Sequence, residues 1–153
     1  GGARLSALPV PIEARDYREH LLLRELRGYD ADLVCLQEVT TGVFDGHLRP
    51  LMAEAGLEVA RSEGNGELAV FWRRALFRQL DSATWLVHGL LDEAENADVR
   101  AALDAGPEAF RAHARAQPHV ALAVRLRCAS SGREVVVVNL HLVMAGAAAP
   151  LRA

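Results

Sequence analysis

The sequence predicts a mixed-sheet α/β domain, and three observations carry that reading. Helical and strand-like patterns alternate along the chain. The segments "HVALAVRLRCA" and "EVVVVNLHLV", joined by "SSGR", make an antiparallel hairpin. Two apolar strands end in polar side chains suited to chemistry, "CLQE" and "VNLH". The 153 residues fit one domain or a piece of a larger one.

The first helix takes Asp16 as N-cap, places Tyr17, Leu21, Leu22 and Leu26 at helical spacing, and stops at Gly28. "ADLVCLQEV" is a short apolar strand. Val43, Phe44, Leu48, Leu51, Met52 and Ala55 mark a second amphipathic helix, closed by Gly56. "LEVAR" and "ELAVFWRR" are strands around a turn at Gly64-Asn65-Gly66, and Leu76 to Leu86 is a further strand. From Leu90 to Gln117 the pattern is polar and helical, with two short helices split at Gly106-Pro107, and it is expected to be a surface excursion. The valine run from Val135 to Val138 is apolar on both faces, which predicts a central strand covered on each side.

Composition narrows the function classes. The apolar fraction is 51% and the net charge −3, so no global basic field marks a nonspecific nucleic-acid binder. Every basic residue among the 17 is Arg, which excludes a lysine nucleophile or Schiff base within these residues. Cys35 and Cys128 fall in strand interiors and read as buried, reduced thiols. No apolar run reaches membrane-spanning length, and the start lacks the apolar core of a secretory signal. The absence of an initiator Met and the stop at "GAAAPLRA", directly after a strong strand, suggest a piece of a longer protein.

Glu38, Asn139 and His141 are the candidate site residues. Asn139 and His141 share one face of their strand, and Glu38 ends another. In α/β sheets, ligands collect at strand ends. A carboxylate there can hold a hard cation, and an imidazole can contact an anion. Each has a plainer reading: Glu38 as a helix cap or partner of a surface Arg, and Asn139 with His141 as a hydrogen-bonded pair supporting a loop. His20, His47, His88, His113 and His119 are expected to be solvated, and no His/Cys spacing matches a zinc site. "GNGELA" fits G-x-G-x-x-A but runs into a strand instead of opening a helix, so it is no dinucleotide fingerprint.

"YREHLLLRELRGYDADLVCLQEV", "ELAVFWRRALF", "VVVVNLHL" and Arg152, in that order and spacing, resemble the endonuclease/exonuclease/phosphatase superfamily. The resemblance runs from about Asp16 to Arg152 and is nearest to the 2′,5′-phosphodiesterase branch of poly(A)-removing exoribonucleases, then to deadenylases of the carbon-catabolite-repressor type and nocturnin. It implies the N-terminal part of a four-layer α/β/β/α sandwich with mixed, largely antiparallel sheets. It implies Mg2+ as cofactor with Glu38 as its ligand, and His141 at the scissile phosphate with Asn139 beside it. An RNA 3′ end or oligoadenylate is the implied substrate, with no membrane or protein partner, and the mitochondrion the implied compartment, the cytoplasm its alternative.

The resemblance also implies motifs that these residues do not contain: an early strand with an Asn, a Gly-Asp-x-Asn and a Ser-Asp-His. This stretch alone is therefore expected to be inactive, and to leave strand edges uncovered. Three places depart from the family's wording: Gly66-Glu67-Leu68-Ala69, Leu140 in place of Thr, and Val143, Met144 and Ala145 after "HL". Bases bind by stacking on aromatic platforms, so these changes motivate a second expectation, a non-catalytic binding or scaffold relative. A phospholipid or inositol-phosphate phosphodiesterase would keep Glu38 and His141 and change the substrate.

Overall fold

The computed structural model describes residues 15–62, 67–116 and 119–141. The Gly64-Asn65-Gly66 turn, the residues after His141 and Arg152 lie outside that set. Helix α1 (Arg15–Gly28) is already helical at Arg15, one residue before the expected start at Asp16. Its inward stripe is Leu23 and Leu26; Leu21 and Leu22 face solvent, one step off the expected face.

Strand β1 (Leu33–Leu36) leads into helix α2, which is α-helical over Thr41–Val43, widens to a π turn over Phe44–Leu48 and is α-helical again over Arg49–Glu54. The widening precedes Pro50, which has no N–H to give the carbonyl four residues back. Phe44, Leu48 and Met52 form its buried stripe at the expected spacing. Gly56 takes φ 83°, the left-handed value that lets the chain turn directly into β2 (Leu57–Arg61).

Strand β3 (Ala69–Arg73) lies between β1 and β2, antiparallel to both, with Leu36 opposite Ala69 and Leu33 opposite Trp72. It is buried on both faces. Ala69 and Phe71 pack with Leu26, Phe44, Leu48, Met52 and Leu57 under the helices. Leu68, Val70 and Trp72 pack with Val120, Leu122, Val124 and Leu126 of the second sheet. Full burial of side chains such as Phe71 contributes about 1.5–3 kcal/mol each, so β3 anchors both cores.

The second sheet has the order β4 (Phe77–Leu86), β5 (Val120–Cys128), β6 (Glu134–Leu140), again antiparallel throughout. A bulge between Gln79 and Asp81 interrupts the β4–β5 ladder. Between β4 and β5 the chain makes short 3-10 turns at Val87–Asp92 and Ala94–Asn96, then helices α3 (Ala97–Asp104) and α4 (Glu108–Ala116), the expected helical excursion.

The described elements form three layers, helix, sheet, sheet, and every described strand pair is antiparallel, in keeping with part of the expected, largely antiparallel sandwich. Two expectations are corrected. Among the described residues β6 is an edge strand, with Val136 63% and Val138 54% exposed. Among the described residues it pairs only with β5, and its outward Val138 and Leu140 lie in rows with Ala123 and Ala121 of β5, which are buried, while Val138, Leu140 and Trp85 of β4 are exposed. Apolar character on two faces measures how a strand can be covered, and β3 is the strand that is. Finally, Cys35 is exposed because β1 is also an edge; both cysteines are free.

Candidate active site

Strand β1 ends in a fixed bend. Glu38 takes φ 58°, a left-handed value costly for a residue with a Cβ. The bend is held from both sides. The Val39 N–H donates to the Glu67 carbonyl at 2.9 Å, and the Val39 side chain is buried under the helices. Arg61 donates to the Val39 carbonyl at 3.0 Å and to Thr41 Oγ1 at 3.1 Å, while its guanidinium lies 4.7 Å from the Phe44 ring centroid. Glu67 is itself left-handed, with φ 47°, and Ser62 braces its neighbour by accepting from the Leu68 N–H at 3.1 Å. The bend interrupts the side-chain alternation of β1 and leaves the Glu38 carboxylate in solvent.

Strand β6 ends beside it. Asn139 faces the intersheet core opposite Leu122 and is 2% exposed. Its amide donates to the Leu36 carbonyl at 2.8 Å and the Ala69 carbonyl at 3.1 Å, and its Oδ1 accepts from Gln37 Nε2 at 2.7 Å. Two residues on, His141 Nε2 lies 3.6 Å from Glu38 Oε1. The His141 side chain is 39% exposed and that of Glu38 76%. The three sequence-predicted residues therefore meet at one end of the two packed sheets, with Asn139 behind and the Glu38–His141 pair at the surface.

His20 and His47 are exposed as expected; His88, His113 and His119 are half-buried, so burial corrects the expectation of solvation for those three. Sequence reasoning missed Gln37 and Arg61. Gln37 stands in the quoted "LQE" block, where its signal was position beside the carboxylate; Arg61 ends a strand and carries no pattern of its own.

Hard dications take few protein carboxylates and complete their shell with water and phosphate oxygens. Glu38 fits one such position, as an accessible carboxylate on a held bend. Among the described residues no cluster of three or more His, Cys, Asp or Glu side chains could hold a metal. The arrangement as described can offer one anionic ligand and, across 3.6 Å, one imidazole able to donate to an anion.

Residues 3–138 match the model of the endonuclease/exonuclease/phosphatase family. The chain is 33% identical over 136 residues to 2′,5′-phosphodiesterase 12 of Bos taurus, covering 88% of the chain and 22% of that protein. It is 24% identical over 147 residues to the CCR4-Not complex 3′-5′-exoribonuclease subunit Ccr4 of Aspergillus niger, covering 88% of the chain and 21% of that protein. The human nocturnin catalytic domain superposes with a TM-score of 0.63 at 20% identity, over 94% of the chain and 48% of the domain, a likeness of fold. The chain thus spans about a fifth of the length of these curated relatives. With more than half its length matched by the family model, the chain belongs to the endonuclease/exonuclease/phosphatase family.

Proposed function

We propose that the protein is a Mg2+-dependent phosphodiesterase acting on RNA 3′ ends, in poly(A) or in 2′,5′-linked oligoadenylate. The observation that carries this reading is the Glu38–His141 pair, two groups from different sheets brought to 3.6 Å at the strand ends. The names of the Bos taurus and Aspergillus niger relatives, a 2′,5′-phosphodiesterase and a 3′-5′-exoribonuclease, support the linkage class. Because the chain spans about a fifth of those relatives, turnover is proposed for the full-length protein.

In this reading Glu38 supplies the protein's anionic ligand to the ion, and its bend keeps the carboxylate from folding back onto the sheet. When bound, Mg2+ supplies neutralisation of phosphate charge and stabilisation of the leaving oxygen during in-line attack by water. His141 would offer a ring N–H to a phosphoryl oxygen in front of Glu38 as negative charge builds there. Among the described residues no helix is long and apolar enough to cross a membrane. A mitochondrial location is proposed from the family branch the sequence resembles.

The test is hydrolysis by the full-length protein, with Mg2+ and then with chelator, of 3′,5′-oligoadenylate, 2′,5′-oligoadenylate and phospholipid or inositol-phosphate headgroups. Metal-dependent cleavage of an oligoadenylate alone is expected. Cleavage of headgroups instead would move the substrate class, and binding of oligoadenylate without cleavage of any substrate would make the protein a non-catalytic relative.

A further inference from the structure

We propose that Gln37 and Asn139 form an amide clamp that sets the separation of Glu38 and His141, which makes both amides positioning residues; the proposal rests on the phosphodiesterase reading above. Glu38 and His141 stand at the ends of β1 and β6, strands of different sheets with no ladder between them. Sheets that meet through apolar side chains alone have no directional bond to fix their strand ends against one another. Asn139 supplies that direction. Its two amide hydrogens go to the carbonyls of Leu36 and Ala69, the paired residues that end the β1–β3 ladder, at 2.8 and 3.1 Å. Its Oδ1 takes the Gln37 Nε2 hydrogen at 2.7 Å.

Each clamp residue is a close chain neighbour of a site residue, Gln37 directly before Glu38 and Asn139 two before His141. With both its hydrogens and its oxygen engaged, and 2% exposed, Asn139 has no hydrogen left to offer a phosphate. Its place in the sequence motif beside His141 is explained by what it holds. Gln37 is exposed, so its removal loosens the clamp without opening the core.

The test uses the full-length protein with Mg2+ and oligoadenylate, following kcat, KM, melting temperature and the His141 imidazole resonances in carbon–proton NMR. Gln37→Ala is expected to lower kcat about tenfold, since small misplacements of reacting groups cost up to about a hundredfold. KM should stay within about twofold, as positioning lost only from the transition state lowers kcat. The melting temperature should move by no more than about 2 °C, as for surface substitutions, while the His141 resonances shift. Gln37→Glu, equal in size but with an oxygen facing Oδ1, should be worse than Gln37→Ala. The double variant Gln37→Ala/Asn139→Ala should lose little more than Asn139→Ala alone. Unchanged kcat in Gln37→Ala, or a loss of kcat with the His141 resonances unmoved, would overturn the clamp. Should the wild-type protein cleave neither oligoadenylate, the phosphodiesterase reading fails, and the His141 resonances decide the clamp by themselves: a shift in Gln37→Ala upholds it and no shift ends it.

Discussion

The two ends of strand β1 both carry carboxylates, and they are treated in opposite ways. At its start, Asp30 and Asp32 share one cation: Arg73 reaches Asp30 Oδ1 at 2.7 Å and Asp32 Oδ1 at 2.6 Å, while its backbone N–H donates to the Asp32 carbonyl at 2.8 Å. The hydrogen bonds to Asp32 and then Asp30 hold the guanidinium pKa above its usual value. At its end, Glu38 meets His141 at 3.6 Å and, among the described residues, no arginine. One end of the strand has spent its charge on fixing β1 against β3. The other keeps an accessible carboxylate on a strained bend that Val39, Glu67 and Arg61 must hold in place. Both ends hold a left-handed residue, Asp30 at φ 45° and Glu38 at φ 58°, so neutralisation is what separates them: Arg73 pairs both aspartates, and Glu38 meets no arginine among the described residues.

Breaking each end in turn sharpens that difference. The largest effect is expected at Glu38: Glu38→Ala should lower turnover by at least about a hundredfold, the scale for removing one electrostatic element of a transition-state site. Stability should hardly fall, and Glu38→Gly, which accepts the left-handed φ, should melt no lower than wild type while remaining inactive. Asn139→Ala comes next. It removes two buried hydrogen bonds to the Leu36 and Ala69 carbonyls, at a cost of about 1–3 kcal/mol by denaturant titration.

Arg73→Ala should lower the melting temperature only slightly, because ion pairs to exposed carboxylates such as Asp30 and Asp32 are screened by solvent, and should leave turnover near wild type. The smallest effect lies on the far edge of β6. The Arg127 hydrogen bond holds the Glu134 carboxyl below its ordinary pKa. A depressed folded-state pKa gives stability that is present above the unfolded value, about 4.3, and is lost as pH falls through the folded one. Glu134→Gln should therefore slightly flatten the acid limb of a melting-temperature profile and do nothing near neutrality.

Much of this was legible in the residues because it is local. The alternation in "LEVAR" and the hairpin around "SSGR" place β2 and β5 within a residue of their observed bounds and start β6 at Glu134, as observed. The 3–4 spacing of Phe44, Leu48 and Met52 gives the buried stripe of α2. What stayed hidden depends on distant parts of the chain. The valine run of β6 is as apolar as a central strand, yet position in a sheet is set by the neighbours available, and among the described residues its one neighbour is β5. The short "AVFWR" of β3 carries the central role because helices and the second sheet close on its two faces. At the site, Glu38 and His141 could be picked out as strand-end groups, whereas the hydrogen bond between Gln37 and Asn139 joins residues about a hundred positions apart and has no local pattern. The left-handed bend at Glu38 was invisible for a related reason: no glycine announces it.

The most direct measurement compares the two ends of β1 in one assay: oligoadenylate cleavage by the full-length protein with Mg2+, for wild type, Glu38→Gln and Asp32→Asn. Turnover lost in Glu38→Gln and kept in Asp32→Asn, with both variants folded, is the result expected if the carboxylate beside His141 is the metal ligand. Wild-type turnover in Glu38→Gln would contradict it.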